Sequence, residues 1–362
     1  MRYCSYASLC VCLMLLWFSV WFEDPSTSSK QLFDGPVQMK VAHVYDIDNK
    51  YTDPDLNPML KSFRCSKLAI NEEREMSRAV TYLQKHKHQF KSRPDEDYIN
   101  LVLDCEKFIK SRGYFHVAPS IEEKTFPIAF NILFYTNIEQ LERLLRSIYR
   151  PQNQYCIHVD AKCADDVISA VRKLTECFPN VFLASKLEVV VYASYTRLTA
   201  DISCMKDHLE REYKWDYLIN MAASEFPVIS NLQLVHMLKD LHGANDVHEV
   251  FKTIDKERFE SKHFTYIDLR TKTGYMIHTK DKKDPPPSGL VITKGNAYNI
   301  FSRKFVEFAL KSDVARQLLA WSADTYTPDE HYWATLNNLY NNSFLNTPGG
   351  YKGRFVCSTF YK

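Results

Sequence analysis

From Phe126 onward, short apolar blocks alternate with stretches of helical period. FPIAFNILFYT (126–136) is apolar and rich in β-formers, and predicts a buried strand. NIEQLERLLRSIYR (137–150) follows as an amphipathic helix, with Asn137 as N-cap and Gln140 three residues on, the spacing of a capping box. QYCIHVD (154–160) and NVFLAS (180–185) predict two more strands, separated by the helical ADDVISAVRKLTECF (164–178). The same rhythm continues with a helix over 194–212, a strand over 215–222 and a helix over 231–241. A strand-like run at 290–302 and a helix over 303–321 complete it. Strands and helices in alternation with short links predict a parallel sheet. Ahead of this region, 66–92 and 97–112 read as two helices, the second ending before Gly113. Residues 242–288 are charged and close on Pro285-Pro286-Pro287, which predicts a loop-rich insertion.

The start of the chain has neither period. YCSYASLCVCLMLLWFSVWF (3–22) is an uncharged apolar run about long enough to cross a bilayer. Arg2 precedes it, and Glu23 and Asp24 follow, so the short N-terminus is expected in the cytosol and the rest in the lumen. The length and bulk of the run favour an anchor over a cleaved signal peptide. EDPSTSSKQLFDGPVQ reads as the start of a stem. The expected layout is an anchor over 1–22, a stem over 23–60 and a lumenal domain over 61–362. Asp46-Ile-Asp48 has the form of a metal-binding DxD, but its place in the stem makes it a solvated turn.

Composition narrows the field further. The net charge of +2 supplies no field for nucleic acid. Only 9 residues are glycine, with no GxGxxG and no GxxxxGK[ST], which argues against a dinucleotide fingerprint and a P-loop. No CxxC gives zinc spacing. Cys65, Cys105, Cys156, Cys163, Cys177, Cys204 and Cys357 follow the apolar run, an odd number, so an oxidising lumen leaves at least one thiol unpaired. Asn341 heads the N-glycosylation sequon NNS.

Two carboxylates are the chemical candidates. Asp160 closes the second strand, where ligands of open parallel sheets bind, and reads equally as a nucleoside-binding group or as the cap of the next helix. Glu330 lies in WSADTYTPDEHYWATL (321–336). Thr327 as N-cap, Pro328 at N1 and Glu330 at N3 make a complete helix start. A first-turn carboxylate also meets the positive end of the helix dipole, worth about 0.3–1 kcal/mol, and projects from fixed backbone, as a general base requires. The aromatics around it are candidates for excluding water or facing a sugar.

FPIAFNILFYTNIEQLERLLRSIYRPQNQYCIHVDAKC, CFPNVFLASKLEVVVYASYTRLTADISCMKDHL, WDYLINMAASEFPVISNLQLV and WSADTYTPDEHYWATL together resemble the core-2/I-branching β-1,6-N-acetylglucosaminyltransferases, over roughly residues 60 to 357. The resemblance implies an α/β, Rossmann-like glycosyltransferase domain of GT-A type lacking a DxD motif, in a single-pass type II Golgi membrane protein of O-glycan biosynthesis. It implies inverting transfer of N-acetylglucosamine from UDP-GlcNAc to the 6-hydroxyl of GalNAc or galactose, with no cofactor and no metal. Glu330 matches the general base, Asp160 and Tyr192 match donor-binding positions, and Arg258 matches an acceptor-binding one. Disulfides Cys105–Cys177 and Cys156–Cys204 are implied as well.

The family continues beyond the segment matching GYKGRFVCSTFYK, with the Arg and Lys that neutralise the donor diphosphate. The domain therefore reads as truncated at its C-terminus; Lys352, Arg354 and Lys362 are candidate substitutes for those cations, but each reads first as an ordinary surface base. Ser358 and Phe360 stand where the family has Trp and Tyr, and Cys65 is left to pair with Cys357. The alternatives are an impaired isoform or pseudoenzyme of the same fold, and a related protein xylosyltransferase.

Overall fold

The computed structural model describes residues 63–64, 67–68, 72–86, 93–115, 117–250, 256–341 and 347–350. The apolar run at 3–22, the stem with Asp46 and Asp48, Cys65, and the tail with Lys352, Arg354, Cys357, Ser358, Phe360 and Lys362 lie outside the described residues. Among the described residues no helix is long and apolar enough to cross a membrane.

The chain divides into two compact units. In the smaller, which takes the described residues up to His86 and Phe226–Ser230, helix α1 (Glu73–His86) carries the described core. Phe63, Leu68 and Ala79 pack together there with Met76 and Tyr82. The Glu75 carboxylate accepts the Arg64 N–H at 2.8 Å, which ties the preceding turn to the helix.

The larger unit, Ser92–Glu225 with Asn231–Cys357, opens with α2 (Asp95–Leu101) and α3 (Cys105–Arg112). The single helix expected over 97–112 breaks because the Asp104 side chain accepts the Lys107 N–H and starts a second one. After the one-turn α4 (Ile121–Lys124) come β1 (Ile128–Phe134), α5 (Ile138–Ile148), β2 (Gln154–Val159), α6 (Asp165–Glu176) and β3 (Val181–Leu183). Then follow α7 (Tyr195–Glu210), β4 (Tyr217–Ala222) and α8 (Asn231–Asp240). Asn137 caps α5 as its sequence suggested, its side-chain Oδ1 accepting the Gln140 N–H at 3.0 Å. The Gln140 amide turns away to the Ser224 carbonyl, so the capping box is half made.

Beyond α8 lie β5 (Glu249–Val250), the one-turn α9 (Glu257–Glu260), β6 (Ser261–Asp268), β7 (Thr273–Lys282), β8 (Lys294–Gly295) and β9 (Ile300–Ser302). The chain then enters α10 (Arg303–Lys311), α11 (Asp313–Trp321) and α12 (Asp329–Asn337).

The strands form one five-stranded sheet in the order β3-β2-β1-β4-β9. The first four are parallel, and β9 runs antiparallel to β4. The order reverses direction at β1, so the crevice such a sheet offers a ligand opens at the carboxyl ends of β1 and β4. A core of Leu198, Ile202, Met205, Leu218, Phe301, Phe305 and Trp333 joins α7, β4, β9, α10 and α12.

Three expectations are corrected. Residues 242–288 hold an antiparallel ribbon, β6 on β7, instead of loop alone. Its apolar residues Phe264, Tyr266, Tyr275 and Ile277 stay exposed, and the charged residues around them made the segment read as loop. The run at 290–302 yields only the short β8 and β9. Residues 303–321 form two helices, because the Ser312 hydroxyl accepts the Ala315 N–H and begins α11.

Both disulfides are present. Cys105–Cys177 joins the start of α3 to the end of α6, and Cys156–Cys204 joins β2 to α7. Cys163 is a buried free thiol, and burial pushes its pKa up to about 11.

Candidate active site

The loop after β3 is gripped by the end of β2. Asp160 is buried, and its Oδ1 accepts the N–H groups of Lys162 at 2.9 Å and Val190 at 3.3 Å. Its Oδ2 pairs with the Lys162 ammonium at 3.2 Å. The helix-cap role is overturned: α6 has Ala164 at its N-cap and no side-chain cap. Asp160 acts on the loop instead, fixing the start of 190–194. Tyr192 stands at the crest of that loop with 88% of its surface exposed. Gly274 of β7 backs the loop, since a Cβ there would lie 2.5 Å from the Val191 side chain.

On the other side, α12 brings Glu330 to the same loop. The capping box expected at Thr327 does not form. The Thr327 N–H donates to the Ala193 carbonyl at 2.8 Å, while the Glu330 N–H donates to the Thr327 carbonyl at 3.0 Å. The Glu330 carboxylate faces Arg258 instead, whose Nη1 donates to Oε2 at 2.7 Å and to the Thr327 hydroxyl at 3.0 Å. The Arg258 and Glu330 side chains are 24% and 34% exposed, so the pair is at the surface and open to a ligand. The helix-start role therefore does not occupy the carboxylate, which is paired with Arg258 instead.

Asp160, Tyr192, Arg258 and Glu330 are thus linked through one loop. Asp160 holds Val190, Ala193 bonds Thr327, and Thr327 shares a guanidinium with Glu330. The aromatics divide. Tyr332 and Trp333 are core residues and face no ligand, while Tyr326 lies half-buried with the Arg258 guanidinium 5.7 Å from its ring centre. Asn341 ends the single-turn segment Asn338–Asn341, and the rest of its sequon is outside the described residues.

Behind Glu330 lies a buried charge cluster that sequence reasoning missed. Arg197 pairs with Asp201 at 2.6 Å, and Asn220 donates to the same carboxylate oxygen at 2.9 Å. Asp329 is buried next to them, and desolvation raises its pKa to about 6 against the pull of Arg197. Desolvation likewise lifts Glu225 to about 7. Arg197 and Asp201, four apart on α7, carry the spacing of an ordinary surface ion pair, so only the fold reveals their burial.

The fold is a mixed α/β one built on a largely parallel sheet, and comparison with known proteins assigns its family. The chain belongs to the Core-2/I-Branching enzyme family, whose domain matches residues 128–358. It is 39% identical over 279 residues to a Rattus norvegicus protein named beta-1,3-galactosyl-O-glycosyl-glycoprotein beta-1,6-N-acetylglucosaminyltransferase 3, covering 77% of this chain and 62% of the relative. It is 42% identical over 254 residues to a Homo sapiens beta-1,3-galactosyl-O-glycosyl-glycoprotein beta-1,6-N-acetylglucosaminyltransferase, covering 69% of this chain and 58% of the relative. The chain thus spans about three fifths of the length of these relatives. Among solved structures, S. aureus TarS 1–349 matches at a TM-score of 0.28 and 9% identity over 55% of each chain, too distant to carry an argument.

Proposed function

We propose that the chain is an inverting glycosyltransferase that moves N-acetylglucosamine from UDP-GlcNAc to the 6-hydroxyl of GalNAc or galactose on O-glycans. The domain is of GT-A type without a functional DxD, works without a metal ion, and is anchored in the Golgi membrane through residues 3–22 as a type II protein. Glu330 is the general base. Its carboxylate takes the proton of the acceptor O6 as that oxygen bonds to C1 of the donor sugar. The bond from C1 to the diphosphate oxygen breaks, and its electron pair leaves with UDP. One displacement inverts C1, so a single base suffices and no nucleophile on the protein is needed.

The observation that supports this reading best is the freedom of Glu330. It is half-exposed, held by a cation through one oxygen, and not consumed in capping α12. Tyr192, crowning the loop that Asp160 organises, is the donor-side face. Arg258 orients Glu330 and lies on the acceptor side.

The test is a transfer assay on the purified chain with UDP-GlcNAc and a core-1 acceptor, with and without EDTA. Turnover is expected to persist in EDTA and to fall about 10²–10⁴-fold in Glu330→Gln, the usual worth of a positioned base. Transfer from UDP-xylose in place of UDP-GlcNAc would reassign the donor, and absence of transfer from either would leave a fold without catalysis.

A further inference from the structure

Thr327 has a backbone φ of +45°. A β-branched residue in the left-handed region is crowded against its own backbone, and such strain persists only where the surroundings over-determine it. Here they do. The Thr327 N–H is bonded to Ala193, itself at φ +59°, and the neighbouring Tyr326 N–H donates to the Arg258 carbonyl at 3.1 Å. Three residues upstream, the buried Lys283 ammonium grips the Asp324 carboxylate. Two strained non-glycine residues joined by a hydrogen bond thus place one buried hydroxyl beside Arg258.

That hydroxyl shares a donor with Glu330. Nη1 of Arg258 reaches the Thr327 Oγ1 at 3.0 Å and the Glu330 Oε2 at 2.7 Å. A terminal guanidinium nitrogen carries two hydrogens, one for each acceptor, and the group is planar and rigid. Holding one hydrogen on Thr327 fixes the guanidinium in contact with a single carboxylate oxygen. Glu330 Oε1 has no hydrogen-bond partner among the described residues.

We propose that Thr327 is a positioning residue for Glu330: its hydroxyl keeps Arg258 in one-oxygen contact and so leaves Oε1 to take the acceptor proton. This rests on the reading of Glu330 as the base. Without the hydroxyl, the guanidinium turns to the two-oxygen clamp that arginine and carboxylate favour, and the base is closed to its substrate.

The experiment compares the full chain with Glu330→Gln, Thr327→Ser, Thr327→Val and Thr327→Gly, measuring kcat, KM, the pH dependence of kcat/KM and Tm. Thr327→Ser keeps the hydroxyl and is expected within about twofold of wild type, while Thr327→Val keeps the shape and is expected to lose about tenfold in kcat with little change in KM. Thr327→Gly relieves the strain but lacks the hydroxyl, so it is expected to show the same loss with an undiminished Tm. In both, the acid limb of the pH profile is expected to move to lower pH, because a doubly held carboxylate keeps its charge more firmly. Wild-type kcat and an unmoved acid limb in Thr327→Val overturn the proposal. So does recovery of activity in Thr327→Gly, which would assign the effect to strain. Wild-type turnover in Glu330→Gln overturns the base itself, whereas its loss beside a fully active Thr327→Val removes only the role of Thr327.

Discussion

Replacing Asp329 by Asn isolates the buried charge behind the site. Desolvation raises the Asp329 pKa from 3.8 to about 6 in the folded chain, with Glu330 and Asp201 adding to the rise and Arg197 opposing it. The unfolded chain releases this proton near pH 4, while the folded chain keeps it to about pH 6. Between those limits the native state binds more protons, so its stability falls as pH rises, and above about pH 6 the full penalty is present. Two pKa units at 1.36 kcal/mol each set the change at about 3 kcal/mol. Asn carries no proton to lose, so Asp329→Asn is expected to gain about 3 kcal/mol on wild type between about pH 4 and pH 7, roughly 5 °C in Tm. Thermal melts of both proteins across this range measure the difference. A difference in stability that stays constant with pH, or one that shifts in favour of wild type as pH rises, refutes the reasoning.

Removing Arg258 (Arg258→Ala) takes a charge-assisted hydrogen bond from Glu330, and kcat/KM in the transfer assay is expected to fall about tenfold to a hundredfold. Its Tm is expected to change little, because a pair this exposed adds at most about 1 kcal/mol to stability. Glu142 is buried and receives Arg112 at 2.7 Å, Arg146 at 3.4 Å and the Tyr114 hydroxyl at 3.2 Å. Glu142→Ala strands these cations and is expected to destabilise by about 3–5 kcal/mol in chemical denaturation. Gly274→Ala drives a methyl into the Val191 side chain and to 2.7 Å from the Tyr266 carbonyl, which is expected to displace the Tyr192 loop and raise the donor KM while kcat holds.

The alternation of strand and helix was legible in the chain because parallel strands buried on both faces read as continuous apolar runs, as IAFNILF does. The cap of α5 was legible for a related reason: Asn137 acts on an amide three residues away, inside the reach of a local pattern. The ribbon of β6 and β7 was not, since its short alternating stretches lie among many charged residues and close on a run of prolines. The helix breaks at Asp104 and Ser312 were hidden in the same way, because a residue that can cap can also sit within a helix until its surroundings decide.

At the site the division is sharper. Local pattern pointed to Asp160 and Glu330, and the resemblance to a family added Tyr192 and Arg258. Local pattern could not separate the base from the helix cap at Glu330, because the spacing Thr-x-x-Glu fits both. Folding removed the capping box, by bringing Ala193 and Arg258, 134 and 69 positions away from Thr327, to claim its amide and its hydroxyl. Local sequence determines which bonds a side chain is able to make; only the long-range packing of α12 against the loop at 190–194 determines which of them it does make.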